Sequence, residues 1–512
     1  MSKILLKGGT VVSGSSVKKA DVLIEDEKIK AVGTDLSGEK GSKTCPCPYR
    51  EGSETASDQL VGSEYVKCNR GGDFNGTGKC HVTKEDLSGA EVIDVTGKLI
   101  FPGFIDTHTH FQMQASDCVT ADDFDSGTRA ALAGGTTCIL DFTTQNKGKT
   151  LIAALDHWHE MADGHCSCDY SFHMSITDWN PDIKSEIPVM TREGVTSYKV
   201  YMAYPNLRIT DHEIFEILQA VAQEGGIVGT HCENGDLIVA LTASLRARGL
   251  TSPSAHPIAH SREVESEAVN RYLTIAHEAG TPVNIVHLST KQSMDFVRMA
   301  RDKGQIVCVE TCPQYFFLDD SMYDLPDFEG AKYVFSPPAR KKEDQDALWD
   351  AIRHGEIDTI GTDHCSFNFA TEKILGIDDF ASIPNGIPGT EHRPVLMYTY
   401  GVLKGRMTNQ AFCRLLSENA AKQFGMYPQK GAIQEGSDAD IVVWDPNCAG
   451  VITAEKQIQA VDYTPYEGME IKGAPSLVFL HGQLAAKDGQ VVRKGLGRYV
   501  SRKAADLSFR KN

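Results

Sequence analysis

The chain has 512 residues, 41% of them hydrophobic, enough for a sizeable core and for more than one domain. A formal charge of −18 disfavours non-specific nucleic-acid binding, and no apolar run approaches the ~18 residues needed to span a membrane. Met1–Gly14 lacks a signal-peptide core with a cleavage site, so neither nucleic acid nor membrane is an expected partner and the cytoplasm is the expected location.

Short strands are predicted over Ile4–Val12, Asp21–Ile24, Lys28–Val32 and Glu91–Leu99. Between them, from about Leu36 to Ala90, lies a glycine-rich polar segment holding four of the fourteen cysteines: Cys45, Cys47, Cys68 and Cys80. It reads as a long surface loop or an extra hairpin, and the absence of paired Cys-x-x-Cys knuckles argues against a structural zinc site. The other cysteines are scattered and expected to be reduced.

Next comes an apolar run ending in Asp106-Thr-His-Thr-His110. Residues i and i+2 of a strand share a face, so His108 and His110 can converge on one metal ion. Further metal-competent groups end later apolar strands: Lys199, His231, His287 and Asp363. Singly, each has an ordinary explanation: a satisfied histidine, a solvated lysine, an aspartate capping a helix. Their order is more telling, because a (β/α)₈ barrel gathers catalytic groups from the C-terminal ends of several strands at one mouth.

The intervening helices support that alternation. Thr210-Asp-His-Glu213 is a capping box, Ile214, Phe215, Leu218 and Val221 form a stripe, and Gly225-Gly226 stops the helix before the His231 strand. A second helix spans roughly Glu263 to Glu278, and a third runs from near Ser289 to Gly304 before the strand Ile306–Glu310. A doubly wound open sheet shares this β/α alternation, but groups drawn from so many strands fit a closed barrel better. His157 and His159 are also spaced i, i+2, yet Leu151–Ala162 is helical in pattern and sends them to different faces. His165-Cys166-Ser-Cys168 precedes the strand Tyr170–Met174 and lacks a second pair, so it is read as packing.

Further strands are predicted over Ala439–Trp444, Ser476–Leu480 and Gln490–Val492. Residues 493–512 form a basic tail, with Arg493, Lys494, Arg498, Arg502, Lys503, Arg510 and Lys511 against Asp506 alone. Such a tail is either solvated or docked on a neighbouring subunit.

The chain resembles the dihydropyrimidinase and D-hydantoinase group of cyclic amidohydrolases from about Lys3 to Val492. The resemblance rests on Phe101–Gln112, Ala131–Thr137, Tyr198–Tyr204, Thr230–Asp236, Glu310–Tyr315, Tyr333–Pro338, Gly361–His364 and Pro384–Gly389. It implies a barrel over 101–429 and a small β-sandwich built from both chain ends, 1–100 and 430–492, with the 36–90 segment as an insertion. It further implies two divalent cations, zinc foremost, held by His108, His110, His231, His287 and Asp363 and bridged by N6-carboxylated Lys199. A buried, deprotonated lysine can take up CO₂ and present carboxylate-like oxygens, which makes that bridge chemically sensible. By the same resemblance Asp363 is general base and then general acid, Tyr204 stabilises the oxyanion, and backbone groups of Ser336 and Asn385 hold the ring's ureide edge.

The implied activity is hydrolysis of 5,6-dihydropyrimidines or 5-substituted hydantoins to N-carbamoyl amino acids, by a homotetramer or dimer. Alternatives are a dihydroorotase- or allantoinase-like enzyme and a non-enzymatic scaffold. Retention of all the expected ligands weighs against the scaffold. Phe111 and Gln112, standing where dihydroorotases usually place an arginine, weigh against dihydroorotate. Phe111, Met113, Met202 and Leu207 are expected to form an apolar mouth tolerant of alkyl or aryl substituents.

Overall fold

A computed structural model describes residues 2–36, 86–115 and 118–510. The four cysteines of the predicted insertion lie outside the described residues. Eight parallel strands form one sheet in chain order: Phe104–Thr109, Thr136–Thr144, Asp169–Ser175, Ser197–Tyr201, Ile227–His231, Val283–Ile285, Val307–Thr311 and Thr359–Ile360. A parallel bridge between Thr109 and His364, with His110 N–H donating to His364 O at 2.8 Å, brings the last segment back to the first. The result is a (β/α)₈ barrel. Its strands are buried almost throughout, as expected where helices cover a parallel sheet.

Local signals place the helices. Thr210 and Glu213 form the predicted reciprocal cap of Asp211–Gln223. Ser261 caps Arg262–Ala279, which ends at Gly280 in the left-handed conformation that glycine adopts without strain. Leu151–Ala162 is helical, with His157 on an exposed face and His159 packed against Phe172 and Tyr499. Cys166 and Cys168 are buried in the main core, as the packing reading expects.

Beside the barrel lie a four-stranded and a seven-stranded sheet. The larger pairs Leu99–Pro102 antiparallel with Ile441–Val451, so the two ends of the chain meet in one sheet. Leu6, Val22, Ile24, Ile29, Ile100, Ile441, Val443 and Phe479 form a separate apolar cluster. Val17–Lys19 and Gln483–Lys487 are strands that the apolar pattern does not mark.

The apolar run before His108 is two strands rather than one. Leu99–Pro102 belongs to the seven-stranded sheet and Phe104–Thr109 to the barrel, with Gly103 between them. A Cβ at Gly103 would fall 1.9 Å from Thr137 Oγ1, so only glycine allows the strand to change sheets there.

The basic tail packs on its own barrel. Tyr499 bridges to Tyr170 at the start of a barrel strand. Arg502, only 3% exposed, donates to Ser171 Oγ at 2.8 Å, to Ser197 Oγ at 2.6 Å and to Phe172 O. Arg510 pairs with the buried Asp358. No helix of the described residues is long and apolar enough to cross a membrane.

Candidate metal centre

His108 lies within its strand and His110 just beyond it, both buried. Lys199 sits mid-strand in Ser197–Tyr201, and His231 ends Ile227–His231. His287 and Asp363 follow the ends of their strands with φ of 39° and 53°. Left-handed backbone of this kind is uncommon outside glycine and clusters where side chains are held for function. Tyr204, with φ of 64°, belongs to the same set.

Asp363 Oδ1 lies 3.1 Å from His108 Nε2 and 3.2 Å from His110 Nε2, and Lys199 Nζ is 3.0 Å from His108 Nε2. Beside this group, His231 Nδ1 and His287 Nε2 are 3.0 Å apart. Two ligands on one tetrahedral zinc-like ion stand about 3.3 Å apart, so both sets have the spacing of a shared cation. The rings of His108 and His287, one from each set, have centroids 5.4 Å apart. Lys199 is 2% exposed and makes no ion pair with a carboxylate among the described residues; its amine faces the Phe142 and Tyr201 rings. A buried lysine so placed suits conversion to an anionic ligand better than permanent charge.

The imidazoles are held by groups outside the set. His108 Nδ1 faces Glu310 Oε1 at 2.6 Å, which leaves Nε2 for the centre. His231 Nε2 faces Glu233 Oε2 at 2.7 Å, which leaves Nδ1. Glu233 also accepts from His260 Nδ1 at 2.9 Å. Carboxylates bound to the far nitrogen fix tautomer and orientation in metal-binding histidines. Neither Glu233, Glu310 nor His260 was singled out from sequence, although Glu233 stands two residues after His231 and Glu310 ends an apolar strand.

Charge and burial set the protonation states. Burial pushes His110 down to about 4, and burial with the His231 charge takes His287 well below the usual range, so both imidazoles are neutral at pH 7, the form that could bind a cation. At His108 burial and Lys199 oppose the proton, but Asp363 and Glu310 outweigh them and raise it. Burial works against the Asp363 carboxylate, yet His108 and His110 hold it well below the usual range. Burial, then the Glu233 charge, drives the Tyr204 phenol well upward.

Of the remaining expected site residues, Tyr204 is half-buried with its ring 5.0 Å from that of His231. Ser336 is buried and Asn385 half-buried, on segments joined by Gly386 N–H donating to Val334 O at 3.0 Å. Phe111 is not at the mouth. It is fully buried against Gly127, Phe124 and His364, because the residue after His110 points back into the wall. Met202 is buried, while Met113 and Leu207 are half-buried. A second cluster, Asp169, Asp440 and His481, already has a cation in it: the Lys430 ammonium pairs with both aspartates and also with Asp438 at 2.9 Å.

Residues 99–485 match the model of the Amidohydrolase family, a span that includes every strand of the barrel and every candidate ligand just described. The chain belongs to the amidohydrolase family. It is 41% identical to the D-hydantoinase of Geobacillus stearothermophilus over 97% of this chain and 96% of that one. The D-hydantoinase of Streptomyces coelicolor is 38% identical over 98% of each. The crystal structure of dihydropyrimidinase from Brevibacillus agri superimposes with a TM-score of 0.87 at 39% identity, covering 98% of this chain and 99% of the other. Within the amidohydrolases the chain therefore sits with the hydantoinases and dihydropyrimidinases, and it is a hydrolase acting on cyclic amides.

Proposed function

We propose that this amidohydrolase opens 5,6-dihydropyrimidines and 5-substituted hydantoins to N-carbamoyl amino acids, using two divalent cations bridged by N6-carboxylated Lys199. The observation that carries the reading is the paired donor geometry: His108, His110 and Asp363 on one side, His231 and His287 on the other, Lys199 reaching His108. Imidazole and oxygen donors without a thiol suit zinc. When bound, the cations polarise the scissile carbonyl and lower the pKa of water enough for attack at neutral pH.

The protein's own groups do the rest. Asp363, ionised and aimed between His108 and His110, takes the proton of the attacking water and returns it to the ring nitrogen as the carbon–nitrogen bond breaks. Tyr204, whose burial keeps the phenol protonated, donates to the oxygen that gains charge. Backbone groups of Ser336 and Asn385 hold the ureide edge of the ring. The resemblance to the hydantoinase group carries the further proposal of a homotetramer or dimer, which sedimentation of the full chain tests.

Ring-opening assays on metal-loaded protein test the reading. Dihydrouracil and phenylhydantoin are expected to be hydrolysed, dihydroorotate and allantoin poorly or not at all. Efficient turnover of dihydroorotate would refute the substrate assignment, and inactivity on all four at full metal occupancy would refute the enzyme.

A further inference from the structure

Lys373 is a fully buried lysine outside the metal centre, on a short helical turn, Lys373–Gly376. Its Nζ donates to Val334 O, Pro384 O and Gly386 O, each at 2.7 Å. An ammonium has three protons and no acceptor capacity, so three carbonyls satisfy it completely. Among the described residues no carboxylate pairs with it, and the Phe367 ring is 5.8 Å away. Burial draws this amine down to about 7, against a smaller upward pull from Cys365, while the three carbonyl oxygens around Nζ are acceptors that favour the charged form.

The three acceptors come from two segments. Val334 is two residues before Ser336, and Pro384 and Gly386 flank Asn385. One point charge thus ties together the two stretches of backbone assigned to the ureide edge. Besides this tie the two segments share one backbone hydrogen bond, from Gly386 N–H to Val334 O at 3.0 Å, and Lys373 adds its two further acceptors, Pro384 O and Gly386 O, on the Asn385 side. Gly386 has φ of 149°, and a Cβ there would lie 2.3 Å from Cys365 O, so the chain passes too close to the strand end for a side chain to anchor it. His256 Nε2 donates to Phe335 O at 2.9 Å, which fixes the first segment from the opposite side but does not reach the second. A Cβ at Gly376 would fall 2.3 Å from Ile383 Cγ1, so the turn carrying Lys373 packs directly on the residue before Pro384.

We infer that Lys373 is a positioning residue for substrate recognition, setting the gap between the Ser336 and Asn385 backbones into which the cyclic ureide fits. The inference rests on the ring-opening function proposed above. Its signature is binding without chemistry, because the groups that Lys373 places hold the ring equally before and during attack.

The test is Lys373→Met in the metal-loaded full-length enzyme, since methionine fills similar volume and offers no donor. KM for phenylhydantoin and dihydrouracil should rise about tenfold or more, with kcat within about threefold and two metals retained. Lys373→Gln, which keeps an amide donor, should show a smaller rise and serves if the methionine variant does not fold. A KM like that of the wild type, or a fall in kcat alone, would overturn the inference while leaving the ring-opening function intact. Failure of both variants to fold would overturn it too, assigning Lys373 to folding. A wild-type enzyme with two metals and no activity on either ring would remove the function and this inference together.

Discussion

His108 Nδ1 and Glu310 Oε1 lie 2.6 Å apart inside the barrel, where neither is more than 1% exposed. The contact anchors the imidazole through Nδ1 and holds Nε2 turned toward Asp363 and Lys199. Thr107 Oγ1 donates to the other oxygen of the same carboxylate at 2.5 Å, which locks its orientation.

Glu310→Gln should therefore fold normally but weaken metal affinity by about 10–100-fold, the usual cost of losing such a support. Chelator competition followed by elemental analysis measures this. Retention equal to that of the wild type would show that the carboxylate serves packing alone.

At Lys199 a buried lysine that only packs and a carboxylated bridge predict different responses to added carboxylic acids. Lys199→Arg should be as damaging as Lys199→Ala, because a guanidinium keeps its charge beside two cations. Small carboxylic acids added with metal should partly restore Lys199→Ala by supplying bridging oxygens and do nothing for Lys199→Arg. Normal metal content and turnover in Lys199→Arg would exclude the bridge.

Tyr204→Phe should retain fold and metals and lose on the order of 10²–10³ in kcat, the scale of one oxyanion donor. Steady-state kinetics on phenylhydantoin decide this. A loss below about threefold would make Tyr204 a packing aromatic beside His231.

Arg502→Met should destabilise the protein by about 2–3 kcal/mol, because it removes charged donors from two buried serines and a carbonyl. The urea midpoint should fall with an unchanged slope, and turnover per folded, metal-loaded molecule should persist. An unchanged midpoint would mean that the tail only rests on the barrel.

What could be read from the chain was what local rules govern. Thr210 and Glu213 cap a helix through atoms three residues apart, so the pattern and the structure agree there. The meeting of the histidines, Lys199 and Asp363 was legible because the barrel brings its strands to one mouth, although Lys199 lies mid-strand rather than at the end the apolar pattern suggests. Glu233, Glu310 and His260 were not, since the contacts of Glu310 with His108 and of Glu233 with His260 join distant parts of the sequence. Phe111 was misplaced because the strand ends at Thr109, so alternation no longer governs where the next ring points. Arg502 looked like one solvated charge among several, and nothing beside it in sequence marks its burial.

The pairing of Leu99–Pro102 with Ile441–Val451 has a consequence for biosynthesis. Leu99–Pro102 leaves the ribosome before any barrel strand, yet its antiparallel partner is translated only after all eight of them. At a synthesis rate of about 5–20 residues per second, that edge stays open while the whole barrel is made. Arg502 arrives later still, so the barrel floor is sealed last. The nascent chain therefore carries an uncovered β-edge for most of its translation, and its yield in a cell should depend on chaperone supply more than its final stability would suggest.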